Sequence, residues 1–231
     1  MADNRITRKR IKNHWHYGWW KYAIWLVITL LGIDLLFAVT SYRPPEDKRL
    51  QLYMCNGYAN ADALQEALWP ALVAACPDQE ELIAMNIDLT TDEYYSKMQF
   101  TTYIAAQEGD VCLLPVDEVK SLVADGAEYA FIELTPYVQS GVIPTEGIDL
   151  TPGMFRDSDG KEGLYAIPAD GLYGLVEYGC DPAGSMLVVM AYCGNDDTAA
   201  TLLGQMVERF TMDQPPAQEN NPAREQTRLL Q

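Results

Sequence analysis

Between Trp19 and Val39 the chain reads WWKYAIWLVITLLGIDLLFAV, and from Tyr22 onward Asp34 is its only ionised residue. Wound as a helix, this run is about 31 Å long, enough to cross the hydrocarbon core of a bilayer. A secretory signal has a shorter apolar stretch, about 7–15 residues, and small residues at its cleavage site. Ala38, Thr40 and Ser41 imitate such a site poorly, and no cysteine follows for lipid attachment. The run is therefore expected to stay in the chain as an anchor over residues 19–41. A basic tail, 1–18, precedes it and a linker, 42–49, follows.

The flanks set an orientation. Arg5, Arg8, Lys9, Arg10, Lys12 and Lys21 lie at or before the start of the run, against the single acid Asp3. Lys and Arg collect on the cytoplasmic side, so the N-terminus is expected inside and the long C-terminal part outside the cell membrane. Trp15, Tyr17, Trp19, Trp20 and Tyr22 suit the inner interface, where amphipathic rings settle. Asp34 falls about 7 Å from the outer end of the helix. It can reach headgroups or water there, or it can hydrogen-bond a partner's transmembrane helix; the second reading makes it a candidate membrane partner contact.

Charge and histidine usage exclude several functions. After Tyr42 the chain carries ten Lys and Arg against 31 Asp and Glu, a formal charge of −21. Nucleic acid, which needs a basic surface, is not an expected partner, and anionic lipid headgroups are disfavoured. Cations and basic partners are the natural attractants. Both histidines, His14 and His16, precede the anchor, so the external part has none. Ser-His-Asp and Cys-His catalysis and His-ligated metals are thereby excluded from it. The five cysteines, at 55, 76, 112, 180 and 193, contain no C-x-x-C and do not space like a disulfide framework. They read as buried small side chains, Cys55 and Cys112 above all. No metal or other cofactor is implied.

From Leu50 the segments alternate. LQLYMC is a buried strand ending in Asn-Gly, followed by a helix with Asn60 as N-cap, Pro70 as a kink or break and Pro77 after it. ELIAMNIDL is a second strand; TTDEYYSKMQFTTYIAAQEGD is a helix with Gly109 as terminator. DVCLL is a third strand, and Pro115–Ala124 a short helix stopped at Asp125-Gly126. This β-α-β-α-β-α order predicts a mainly parallel sheet with helices on both faces. Beyond it, AEYAFIEL reads as extended, Pro136 opens a helical turn, and RDSDGKEGLYAIP is a polar hairpin turn feeding a strand. A calcium loop is the poorer reading of DSDGKE, since Lys161 stands where a ligand is needed. GLYGLVEYG and SMLVVMAYC are strand candidates, and DDTAATLLGQMVERF is an amphipathic helix with its apolar face at Ala199, Leu202, Leu203 and Met206. The Pro, Gln and Asn-rich stretch 211–231 is expected to be disordered.

The run YYSKMQFTTYIAAQEGDVCLLPVDEVKSLVADGAEYAFIELTPYV resembles the N-terminal lobe of extracellular solute-binding proteins of ABC importers. Paired aromatics on a helix, a Gly-Asp, a D-V-hydrophobic strand, a short helix and IELTPYV come in that family's order. DGKEGLYAIP is similar to its hairpin. The resemblance spans 50–210 and implies a single-lobed, periplasmic-binding-protein-like α/β fold behind one transmembrane helix. Two departures stand out. The family has a second lobe of similar size, for which the roughly forty residues after Pro168 leave no room; and it is usually lipid-anchored or freely exported.

In an open α/β sheet ligands sit beyond the carboxyl ends of the strands, where strand order reverses. With an order 2-1-3, that places Asn56 and Tyr58 after the first strand, Thr90 and Tyr94 after the second, Asp117 after the third and Asp170 after YAIP. These are the candidate ligand-binding residues, with Asn, Tyr and Asp suited to sugars or amines. The alternative is that Asn56-Gly57 is a turn and Asp117 an early helical acid favoured by the dipole. No catalytic residue is singled out. The leading expectation is a non-catalytic, tethered solute-binding-like domain that takes a small polar solute weakly or serves as an accessory or docking subunit of a membrane transport complex. A carboxylate-dependent glycan-acting enzyme, or an assembly protein working through its transmembrane helix, are the alternatives.

Protease added to intact cells is expected to digest the part after Tyr42, while the mass of the untreated protein still includes residues 1–41. A protected C-terminal part, or a mass lacking the apolar run, would contradict retention and orientation alike.

Overall fold

The computed structural model describes residues 8–40, 42, 44–90 and 93–212. The stretch expected to be disordered lies outside them from 213 onward, as do Thr91 and Asp92. Two compact units divide the chain, Met1–Arg43 and Pro44–Gln231.

The first unit is one helix, α1 (Arg8–Thr40). It reaches back beyond the apolar run into the basic segment expected as a separate tail. Its Gly18–Thr40 portion is long and apolar enough to cross a membrane. Thr29 Oγ1 donates to the Trp25 carbonyl at 2.8 Å and Thr40 Oγ1 to the Leu36 carbonyl at 2.6 Å. Each hydroxyl inside the apolar stretch is thus satisfied by the preceding turn, and Thr costs little there.

The second unit is built on a five-stranded sheet. Its strands are β1 (Arg49–Met54), β2 (Glu81–Asn86), β3 (Val111–Pro115), β6 (Ala166–Pro168) and β7 (Ser185–Val189), in the order β2-β1-β3-β7-β6. β1 pairs in parallel with β2 and β3, whereas β7 runs against both β3 and β6. The expected parallel 2-1-3 core is present, widened by the reversed strand β7 and, beyond it, by β6.

Alternation along the strands feeds two cores, because successive side chains point to opposite faces. Leu50, Leu52, Met54, Val111, Leu113, Leu187 and Val189 meet α2 (Ala61–Ala75) and α7 (Asp196–Phe210) through Leu64, Leu68, Leu72, Leu202, Leu203 and Met206. Tyr53, Cys55, Cys112, Leu114, Met186 and Val188 meet the other layer. There α3 (Glu93–Ala105), α4 (Val116–Leu122) and α5 (Ala127–Ala130) contribute Phe100, Val119 and Ala127. A short α6 (Thr135–Gln139) opens with Pro136 in its first turn, and the hairpin β4 (Met154–Arg156) and β5 (Glu162–Leu164) lies outside the main sheet. The hairpin turn is closed by Asp157 N–H to the Lys161 carbonyl at 3.0 Å and by the Asp157 carboxylate accepting from Lys161 N–H at 2.7 Å.

Several local expectations need correction. GLYGLVEYG is a 3₁₀ helix over Tyr173–Tyr178 rather than a strand. Leu172 and Leu175 are both buried; a three-residue spacing puts them on one side of a 3₁₀ turn, where a strand would send them to opposite faces. AEYAFIEL begins as α5, since Ala127 and Phe131 are buried four residues apart, at helical spacing. Only Phe131 is extended, bridging Met190. α2 continues through Pro70 to Ala75, and Asn60 caps it by accepting from Ala63 N–H at 3.3 Å. α3 stops before its expected glycine. Gln107 takes the left-handed turn at φ 58, and Gly109 instead allows the chain to lie against the Tyr53 ring.

Gly204 supplies a test of this packing. Inside a helix, Gly to Ala ordinarily gains about 1 kcal/mol. At Gly204 the new Cβ would press into the backbone carbonyl of Val142, an atom that cannot rotate away. Gly204→Ala is therefore expected to destabilise the folded unit by about 1–3 kcal/mol, read as a lower midpoint in urea. A raised midpoint would show that α7 does not lie this close to the 142–143 loop.

Candidate functional site

Four strands, β1, β2, β3 and β6, end at one edge of the sheet, and β7 starts there. The segments that follow or precede them therefore share that edge: 55–59, 87–90, 116–117, 169–170 and 179–184. They are laced by backbone bonds. Ile87 N–H reaches the Met54 carbonyl at 3.0 Å and Leu89 N–H the Cys55 carbonyl at 3.2 Å. Ala59 N–H donates to Asn86 Oδ1 at 3.0 Å.

Asn56 is the centre of the edge. Its side chain is 8 % exposed, so its amide protons need partners inside the protein. Nδ2 donates to Ser185 Oγ at 2.5 Å and to the Asp181 carbonyl at 2.7 Å. The loop bearing these acceptors, Gly179–Gly184, is thereby strapped across the ends of β1 and β3. Further ties hold it. Gly57 bridges Cys180, and Val116 N–H donates to the Gly184 carbonyl at 3.0 Å. The Asp170 carboxylate accepts from Gly184 N–H at 2.9 Å. Gly179, at φ 82, lies with its Cα so near the Tyr58 carbonyl that no side chain fits.

The sequence-chosen residues fall into two groups around this strap. Asn56 and Asp170 both hold it, and Asp117, exposed in the first turn of α4, follows Val116, which holds it too. Tyr58, Thr90 and Tyr94 lie on the side of β1 and β2. Tyr58 is 80 % exposed and Tyr94 73 %. Tyr94 stacks edge-on against Tyr95, with centroids 5.4 Å apart. Thr90 is turned inward on its own loop, its Oγ1 donating to Asp88 Oδ1 at 2.6 Å. Asp34 belongs to the other unit, exposed on α1.

Two residues that matter at this edge escaped sequence reasoning, Asp181 and Ser185. The signal was the dipeptide Asp181-Pro182 ahead of a glycine. Such an Asp caps its own turn, here accepting from Ala183 N–H at 3.1 Å. A buried acid with a raised pKa lies elsewhere. Asp110, at the opposite edge just before β3, is pushed up by burial, while Gln51 N–H (2.7 Å) and the Cys193 thiol bond its carboxylate. Burial likewise raises the thiols of Cys55, Cys112, Cys180 and Cys193, which are free and weakly nucleophilic in consequence. Among the described residues no group of three or more His, Cys, Asp and Glu is placed to hold a metal ion.

No protein-family model matches the sequence, and no curated protein does. Solved structures do. A putative spermidine/putrescine ABC transporter from Listeria monocytogenes overlaps 70 % of this chain and 78 % of its own, at 9 % identity and a TM-score of 0.40. An extracellular solute-binding protein of family 1 from Alicyclobacillus acidocaldarius overlaps 52 % of this chain, at 19 % identity and a TM-score of 0.37. A probable secreted solute-binding lipoprotein from Streptomyces coelicolor overlaps 55 %, at 17 % identity and 0.34. This chain covers only 28 % and 30 % of the last two. The last two are solute-binding proteins by name, and this chain spans about three tenths of their length.

Removing the Asn56 amide leaves buried acceptors without a donor, at a cost of about 1–3 kcal/mol. Asn56→Ala is expected to lose that much and to speed hydrogen exchange at 180–185. Asn56→Asp is expected to lose more at neutral pH, because a buried carboxylate would face the Asp181 carbonyl. Its deficit shrinks as pH falls, since protonation restores a donor. Unchanged exchange in both variants would mean that the strap is held without Asn56.

Proposed function

We propose that the chain is a membrane-tethered, non-catalytic, one-lobed solute-binding-like protein. α1 holds it in the cell membrane with the N-terminus inside, and the carboxyl edge of the sheet meets a small polar solute weakly or a component of a membrane transport complex. What supports this reading is that Tyr58, Asp117 and Asp170 lie in segments that follow β1, β3 and β6 at one edge of the sheet, while Tyr94 opens the helix after β2, with both tyrosines open to solvent. Aromatic faces and carboxylates together suit hydrogen bonding and stacking with sugars or amines. One lobe cannot close over a ligand, so contact is one-sided and affinity is low. The perturbed acid Asp110 supports the non-catalytic reading, being tied internally at the other edge.

A second reading rests on Asp34, an ionisable residue exposed toward the C-terminal end of the apolar part of α1. Such residues commonly pair with a neighbouring helix. In that reading the protein is an assembly subunit and Asp34 its membrane contact.

A thermal-shift screen of the full chain in detergent, against sugars, short peptides and amines, tests the first. At ten times Kd a ligand adds about 1.4 kcal/mol, worth about 3–6 °C for a unit of this size. The shift should vanish in Tyr58→Ala or Asp117→Asn. No shift with any compound would overturn the solute half of the reading. Co-purification that survives Asp34→Leu would overturn the assembly half.

A further inference from the structure

The helix α3, thirteen residues long, leaves most of its surface uncovered. Of its side chains from Tyr94 to Ala105, Phe100 alone is fully buried. Tyr94, Tyr95 and Met98 (56 % exposed) present a ring-and-thioether surface to solvent. Tyr58 extends it along the carboxyl edge, since the loops after β1 and β2 are joined through Ala59 N–H and Asn86 Oδ1. Soluble surfaces rarely group large apolar side chains this way without a binding role. Tyrosine anchors are typical of the residues that carry interface energy.

Charge selects the occupant. Asp88 lies on the loop after β2, Asp117 and Glu118 open α4, and Asp92 and Glu93 precede Tyr94 in sequence. The one basic residue of α3, Lys97, is drawn to Glu118, Nζ to Oε2 at 4.0 Å. A second copy of the chain would bring another −17 against it, and anionic lipid meets the same repulsion. A cationic side chain finds both a field that attracts it and ring faces to lie on, and Arg is the best such partner. The strap already covers the ends of β1 and β3, and the exposed side chains are spread along a helix face, from Tyr94 to Met98. That fits an extended segment better than a single small molecule.

We infer that Tyr58, Tyr94, Tyr95 and Met98 form a docking surface for an arginine- and lysine-rich segment of a partner protein. The inference rests on the docking half of the proposed function and gives it a partner chemistry.

A fluorescent dodecapeptide of alternating Arg and Ser, titrated against the full chain in nanodiscs of neutral lipid, tests it. The wild type should bind, and the Tyr94→Ala/Tyr95→Ala double variant should bind about tenfold more weakly, as two exposed cation–π contacts predict. Tyr94→Phe/Tyr95→Phe should keep most of the affinity, because the ring faces remain. Tyr129→Ala, which removes an equally exposed tyrosine (69 %) on α5, should change nothing. Equal binding by wild type and double Ala variant would show that bulk charge alone attracts the peptide and overturn the inference. So would an equal loss in Tyr129→Ala, or no binding at all. Free arginine amide separates the two readings. If it binds as tightly as the peptide, with the same dependence on Tyr94 and Tyr95, the surface is a small-solute site and the docking inference falls while the solute reading stands.

Discussion

The buried amide of Asn56 is the constraint on which the folded unit's active edge depends. Asn cannot be left unpaired at that depth, and its donors find the Asp181 carbonyl and Ser185 Oγ. That single side chain joins the end of the central strand to the start of the one reversed strand. With it in place, β7 can follow β3 in antiparallel register, Pro115 opposite Ser185. Without it, the connection from β6 would have no fixed point over the sheet, and both the edge and the start of β7 would loosen together.

The connection itself, residues 169–184, is held closely to the sheet. It leaves β6 and enters β7 at the same edge, so it must turn back within a short span. The 3₁₀ helix over Tyr173–Tyr178 does this, with Gly174 tucked beneath Phe210 and Leu172 and Leu175 buried beside α7. This compact apolar turn packs against the layer in which α2 and α7 cover that face of the sheet.

Much of the fold was legible in sequence because its signals are local. Asn60 before Ala63 and Leu64, the acids ahead of Ala199 and the apolar runs of β1, β3 and β7 each name their element without reference to anything distant. Parallel pairing in the core followed from alternation, whereas the 2-1-3 order was an assumption that the strand order bears out. What sequence misread depended on tertiary demands. GLYGLVEYG has the composition of a strand, yet both its ends are pinned to one edge, and only a compact turn satisfies that. The site was legible in position and not in role. Topology placed Asn56, Asp117 and Asp170 at the carboxyl edge, but no pattern in the chain says that Asn56 and Asp170 would spend their hydrogen bonds on the protein's own loop. Their partners are 125 and 14 residues away.

The short stretch Pro44–Lys48 brings the chain to the amino end of β1, and six residues later β1 delivers it to Asn56. A six-residue strand spans about 20 Å. The carboxyl edge therefore lies one strand length from the point where Lys48 hands the chain to the sheet, and the hydrogen-bonded sheet itself keeps that interval fixed.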